Sequence, residues 1–118
     1  IVATGSIVSE AKKATGILEE LGFSVALVNL NTIKPLDETL VNKIAKFPEV
    51  FVVEEHTYIG GLFSSICEHI SAFETRPRVH SIALPDKFGP TGTYKYLLDH
   101  HGLNGEKIAQ KINTMLKQ

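Results

Sequence analysis

The feature that most limits how this chain can fold is its alternation of short apolar runs with amphipathic helical stretches. Runs of four to eight apolar residues have the length of strands, whereas apolar residues spaced three and four apart mark helices with one buried face. Where the two alternate, each helix crosses back over the sheet, and the sheet is mainly parallel. The expected fold class is therefore α/β. Strands are expected at residues 1–4, 23–30, 50–53 and 79–84. The run Val25, Ala26, Leu27 and Val28 implies a second strand buried on both faces.

Helices are expected between the strands. The first, at about 7–21, carries Val8, Ala11, Leu18 and Leu21 on one face and stops at Gly22. Asp37 is placed to cap a short helix with Leu40, Val41, Ile44 and Ala45 inward, ended by Pro48. A helix at about 61–73 has Phe63, Ile66, Cys67 and Ile70 as its apolar stripe, which makes Cys67 a core cysteine. A short helix is expected at about 93–100, and Asn104 is placed to cap a last one containing Ile108, Ile112, Met115 and Leu116. No repeat, low-complexity segment or linker interrupts this pattern, so residues 1–118 are expected to form a single domain.

Composition excludes several classes of function. A formal charge of -1 without a basic block argues against nucleic acid binding, which needs a face that neutralises phosphates. No apolar run approaches the roughly 18 residues of a membrane span, and no signal peptide is visible. One cysteine cannot form an internal disulfide, so a cytoplasmic setting is the default. The opening Ile1-Val2-Ala3-Thr4-Gly5-Ser6 starts inside a strand pattern, which is expected of a cut point in a longer polypeptide.

In a parallel sheet the loops that follow the strands share one edge, and ligands of open α/β folds bind there, where strand order reverses. The candidate residues on that edge are Gly5, Ser6, Glu54, Glu55, His56, Gly60, Gly61 and Phe88. Gly5-Ser6 before a helix can hold an anion on free N–H groups, or can simply turn the chain with Ser6 as the cap. Neither the six-residue dinucleotide fingerprint nor a phosphate-loop Lys-Ser or Lys-Thr is present. Glu54-Glu55-His56 is read as the start of a loop at residues 54–60. Strand alternation would send Glu54 and His56 one way and Glu55 the other. This trio can serve acid–base chemistry or a structural role, but no His or Cys has spacing that suits a metal site. Gly60-Gly61 allows either close approach of a neighbour or a turn with positive φ. Phe88 can be an exposed anchor or fold back onto the sheet. His100-His101 diverge on a helix and read as a solvated helix end.

In order, the segments Ile1-Val2-Ala3-Thr4-Gly5-Ser6, Thr32-Ile33-Lys34-Pro35-Leu36-Asp37, Val53-Glu54-Glu55-His56, Gly60-Gly61-Leu62, Leu84-Pro85-Asp86, Phe88-Gly89, Gly92 and Gly102-Leu103 form a series over essentially the whole chain. In this the chain resembles the C-terminal domain of transketolase-like enzymes, and is most similar to the C-terminal section of split transketolases. The related domains of deoxyxylulose-phosphate synthase and of the 2-oxo-acid dehydrogenase E1 β subunit are the nearest alternatives. An autonomous nucleotide- or small-ligand-binding module is the reading from another class.

The resemblance implies a three-layer α/β/α fold. The family's five-stranded mixed sheet would lose its antiparallel strand upstream of residue 1, leaving four parallel strands in the order 2-1-3-4. It also implies a parent enzyme that uses thiamine diphosphate and Mg2+ or Ca2+ to move a two-carbon ketol unit between sugar phosphates. Such parents hold the cofactor between a pyrophosphate-binding and a pyrimidine-binding domain. The acidic-Gly-Asp…Asn metal motif of the first and the activating glutamate motif of the second have no match here. No catalytic, cofactor-binding or metal-binding residue is therefore carried over. The implied role of this domain is packing, assembly of a homodimeric parent, and room for a regulatory ligand.

Overall fold

The structure, a computed structural model, describes residues 1–118. The strands are β1 (Val2–Ala3), β2 (Val28–Asn29), β3 (Glu49–Thr57) and β4 (Arg78–Leu84). They form one parallel sheet in the order β2-β1-β3-β4, as expected. The helices are α1 (Val8–Glu20), α2 (Glu38–Ile44), α3 (Leu62–Ile70), α4 (Tyr94–His101) and α5 (Gly105–Leu116). No helix is long and apolar enough to cross a membrane.

The pleat of β3 sorts the core into two parts. Phe51 and Val53 pack with Ala3 and Ile82 against α1, α4 and α5, through Ala11, Ala14, Leu18, Leu98, Ile108 and Ile112. Val50 and Val52 pack with Val2 and Leu30 against α2 and α3, through Val41, Ile44, Leu62, Ile66 and Ile70. The sheet is thus the middle of three layers, and each fully buried Leu or Ile contributes about 1.5–3 kcal/mol.

Local chemistry sets the helix ends. Asp37, Thr93 and Asn104 accept hydrogen bonds from the N–H groups of Leu40, Tyr96 and Lys107, respectively. Each such cap is worth about 1 kcal/mol. Gly22 follows the end of α1 with a φ of 94°.

Several expectations need correction. Only Val28 and Asn29 of the second strand join the ladder, and Ala26 is exposed while Val25 and Leu27 are half-buried. β2 lies at the edge of the sheet, with a neighbour on one side only, so burial on both faces does not occur. The third strand runs through Thr57 instead of stopping at Val53, because β4 pairs with it as far as Leu84. On α1, Ala14 is buried and Leu21 is exposed. Cys67 is half-buried on the flank of α3, not in the core, and burial pushes its thiol pKa up.

Helices α1 and α5 meet closely at Gly105. A Cβ there would lie 2.6 Å from Cβ of Lys13 and 3.2 Å from the carbonyl oxygen of Glu10. Gly105 N–H donates to Glu10 Oε2 at 2.7 Å, and Lys13 Nζ donates to Glu10 Oε1 at 2.9 Å. Partial burial pushes the Glu10 carboxyl up, but the bonds from Lys13 and Gly105 outweigh it and hold the group below its ordinary value. Its contribution is therefore present above the unfolded value near pH 4.3 and is lost as pH falls through the lower folded value. Gly105→Ala should destabilise the fold by about 2 kcal/mol through overpacking. Gly16→Ala, which meets nothing within 4 Å, should stabilise it by about 0.5–1 kcal/mol. Urea unfolding of the two variants checks this, and equal stabilities would remove the close-packing account.

Candidate functional site

Strand order reverses between β1 and β3, and the turns that leave these two strands bound an open crevice of about 630 Å³. Seven of the eight candidate residues line it, namely Gly5, Ser6, Glu54, Glu55, His56, Gly60 and Gly61. Phe88 does not. It stands fully exposed in the loop after β4. Lys34 and Ile33 join the crevice from the loop after β2. They were not singled out as site residues, although their loop leaves the same sheet edge.

Glu54, Glu55 and His56 lie within β3 and not in a loop, and the expected alternation holds. Glu54 is only 2% exposed. Its carboxylate accepts from the N–H groups of Leu62 at 2.6 Å and Phe63 at 3.3 Å. It therefore caps the first turn of α3 from the neighbouring strand. A buried carboxylate is costly unless it is hydrogen-bonded, and the positive end of a helix is a favourable place for it.

This contact explains the glycine pair. Gly60 has a φ of +77° and serves the turn. Gly61 does not have positive φ; there a Cβ would fall 2.5 Å from Glu54 Oε2 and 2.8 Å from His56 Nδ1. The two readings of Gly60-Gly61 thus divide between its members. The Gly60 N–H donates to Ser64 Oγ at 2.9 Å, and Ser64 Oγ donates to the Tyr58 carbonyl at 3.2 Å, which fixes the turn.

Glu55 points to the other face of β3, where Ser6 Oγ donates to it at 3.1 Å and Tyr94 Oη donates to the same oxygen. Ser6 is therefore not a helix cap. It sits inside a 3-10 turn, Gly5–Ile7, and ties the exit of β1 to that of β3. Tyr94 brings in the start of α4, a link between residues 39 positions apart that local sequence patterns do not reveal. The hydrogen bond to the Glu55 carboxylate raises the phenol pKa of Tyr94. His56 Nδ1 lies 2.7 Å from the carbonyl oxygen of Thr57 and engages neither glutamate. Of the histidine pair, His100 is exposed and His101 is half-buried beside Gly89.

Chemically, the crevice offers carboxylate, imidazole and ammonium groups around an open polar space. No three His, Cys, Asp or Glu side chains lie close enough to hold a metal ion. Neither glutamate is free to act as a base without releasing the element it holds. The free N–H groups of α3 are already used by Glu54, so that helix start is not an open anion site.

Residues 1–108 match the family model described as "Transketolase, C-terminal domain". The chain belongs to the transketolase C-terminal domain family. It is 40% identical over 118 residues to a Methanocaldococcus jannaschii protein named as a transketolase C-terminal section, covering 100% of this chain and 37% of that one. It is also 41% identical over 118 residues to the 1-deoxy-D-xylulose-5-phosphate synthase of Dictyoglomus thermophilum, covering 99% of this chain and 19% of that one. Among solved structures it superposes on a split gene transketolase, described as an inactive beta4 tetramer, with a TM-score of 0.84 and 30% identity over 98% of this chain and 37% of that one. The transketolase C-terminal domain thus spans well under half the length of these relatives.

Two predictions follow from this geometry. Glu54→Ala should cost about 3 kcal/mol, because a buried helix N–H left without a partner costs about 1–3 kcal/mol. Gly61→Ala should cost about 2 kcal/mol in the natural chain, but less in the Glu54→Ala background, where the added methyl has lost the nearer of its two clash partners and only His56 Nδ1 remains. A double-mutant cycle in urea measures this, and additive costs would contradict the contact. Secondly, Tyr94 should form phenolate above the ordinary tyrosine range, and Glu55→Gln should bring it back. Because the folded pKa is the raised one, the contribution of Tyr94 to stability is present below the unfolded value near pH 10 and is lost as pH rises through the folded value. Phenolate absorbance across an alkaline titration reads both effects.

Proposed function

We propose that this chain is a non-catalytic domain of a thiamine-diphosphate-dependent transferase whose whole assembly moves a two-carbon ketol unit between sugar phosphates. In this reading the domain docks onto the parts of the enzyme that bind the pyrophosphate and pyrimidine ends of the cofactor, and it helps to assemble a homodimeric parent. The observation that carries it is the distribution of exposed apolar side chains. Five of the seven large ones, Tyr58, Ile59, Phe88, Tyr94 and Tyr96, lie at the strand-exit edge. Exposed aromatics gathered at one end of a domain are the usual anchors of an interface.

The residues of this edge do not suit thiamine diphosphate and its divalent cation. Glu54 is committed to α3, Glu55 is committed to Ser6 and Tyr94, and no third acidic or imidazole ligand joins them. The cofactor is accordingly assigned to other domains or a separate subunit. The polar crevice beside Lys34 is proposed as room for a regulatory ligand of the sugar-phosphate type. A cytoplasmic setting is proposed because Cys67 is a free thiol. A second reading, that the parent makes 1-deoxy-D-xylulose 5-phosphate, is favoured by the 41% identity to synthases of that name.

The purified chain with thiamine diphosphate and magnesium should transfer no ketol unit, and turnover would overturn the reading. Phe88→Asp, a change at a fully exposed side chain, should leave the unfolding midpoint unchanged but weaken association with the remainder of the parent by about tenfold or more. Sedimentation of the mixture measures this, and undiminished association would remove the docking role. Which product the reassembled parent forms decides between the two readings of its reaction.

A further inference from the structure

We infer that the outer edge of β4 pairs antiparallel with the same edge of a second copy of this chain, about a two-fold axis at Ser81. β4 closes one side of the sheet and has β3 as its single neighbour. Arg78 N–H donates to the Pro48 carbonyl, and the Leu84 carbonyl accepts from Tyr58 N–H, so the even-numbered residues of β4 face β3. Successive residues of a strand turn their N–H and C=O groups to opposite sides. Val79, Ser81 and Ala83 therefore turn theirs outward, where no backbone group of the turns or loops meets them. Such a row is a template for another strand unless it is blunted, and β4 contains neither a Lys nor a Pro.

The order of residues along this edge identifies the occupant. The outward series is Pro77, Val79, Ser81, Ala83 and Pro85, and it is symmetric about Ser81. With Ser81 opposite its own copy, Val79 stands opposite Ala83 at both ends, and each of these pairs exchanges both N–H···O bonds. Proline has no N–H to give, and the two prolines then fall opposite each other just outside the paired segment. A slip of two residues in either direction would instead set Ala83 or Val79 opposite a proline. Side chains agree with the centred register. The Oγ of Ser81 is the one buried side-chain polar atom that lacks a hydrogen-bond partner. At the axis it faces the same hydroxyl of the second copy, and cross-strand serine pairs hydrogen-bond. Val79 packs with the α2 and α3 core, so that layer continues across the seam with small side chains between. Arg78, 73% exposed, reaches the end of the opposite strand, where the acidic Asp86 follows Leu84. An unrelated strand could bond the backbone but would not bring a hydroxyl to Ser81. Pairing about a two-fold axis uses both edges and closes at a dimer.

The inference rests on the proposed role of this domain in assembling a homodimeric parent, and it names the strand that performs it. In the 118-residue chain, sedimentation should show mass rising toward that of two chains with concentration. Hydrogen exchange of the Val79, Ser81 and Ala83 amides should slow about tenfold or more over the same range. Cross-linking reads the register in a Cys67→Ser background. Directly opposed residues of a bonded pair lie about 5.5 Å apart at Cα, which suits a disulfide. Ser81→Cys should therefore oxidise to a covalent dimer, whereas Val79→Cys and Ala83→Cys should cross-link when mixed and not alone. A strict monomer, exchange independent of concentration, or cross-linking of Val79→Cys by itself would overturn the inference. So would protection of these amides that appears only with the remainder of the parent, because another strand would then be the occupant. If β4 fails to pair while the reassembled parent is a dimer, this inference falls and the assembly role stands. Phe88→Asp should leave the pairing intact, so docking at the strand-exit edge is tested separately.

Discussion

The phase of β3 is the constraint on which the rest of the domain depends. In a strand, successive side chains point to opposite faces, and a slip of one residue exchanges them all. Phe51 and Val53 reach the α1, α4 and α5 layer, while Val50 and Val52 reach the α2 and α3 layer. The same alternation continues past the apolar run into charged residues. Glu54 falls on the α3 side and caps that helix, and Glu55 falls on the opposite side and gathers Ser6 and Tyr94. The arrangement of the crevice is therefore not independent of the core. A register that buries four consecutive apolar residues also sends the two glutamates to different helices.

Glu54 has to be a carboxylate on a side chain of this reach, because the chain enters α3 through two glycines. Glycine has no side chain to offer the first N–H groups, and α3 has no side-chain cap of its own. The acceptor comes instead from eight residues upstream, and it fits only because Gly61 leaves room for it. The charge is stabilised by the helix that it stabilises. This coupling also limits function. A helix start at a topological switch point is the usual anion seat of α/β proteins. Here the protein fills one such seat with its own carboxylate.

What the sequence revealed and what it hid divide by the range of the interactions involved. The caps at Asp37 and Asn104 were legible because donor and acceptor are three residues apart. The strand order was legible from the resemblance, and the division of Glu54 and His56 from Glu55 from the two-residue period alone. The extension of β3 through Thr57 was not, since it rests on Thr57 pairing with Leu84 across a register shift that follows Val53, and not on the propensity of its polar residues. Ser6 looked like a cap because serine before a helix commonly is one. Its actual partner lies 49 residues away. The short ladder of β2 was hidden for a related reason, because the length of an edge strand is set by its single neighbour.

The two ends of the sheet make different demands on whatever surrounds the domain. At the strand-exit edge Glu54, Glu55 and Ser6 are held by hydrogen bonds, while Tyr58, Ile59, Phe88, Tyr94 and Tyr96 are exposed. At the strand-entry end, apolar side chains of α1, α2 and α5 flank the backbone of residues 24–26 and 49–51. A reactive site needs groups whose lone pairs or protons are available to a substrate, with a base held near its nucleophile. Here the carboxylates hold helices and turns, and the imidazole of His56 faces a backbone carbonyl. Side chains committed in this way give the edge a fixed shape at the expense of reactivity.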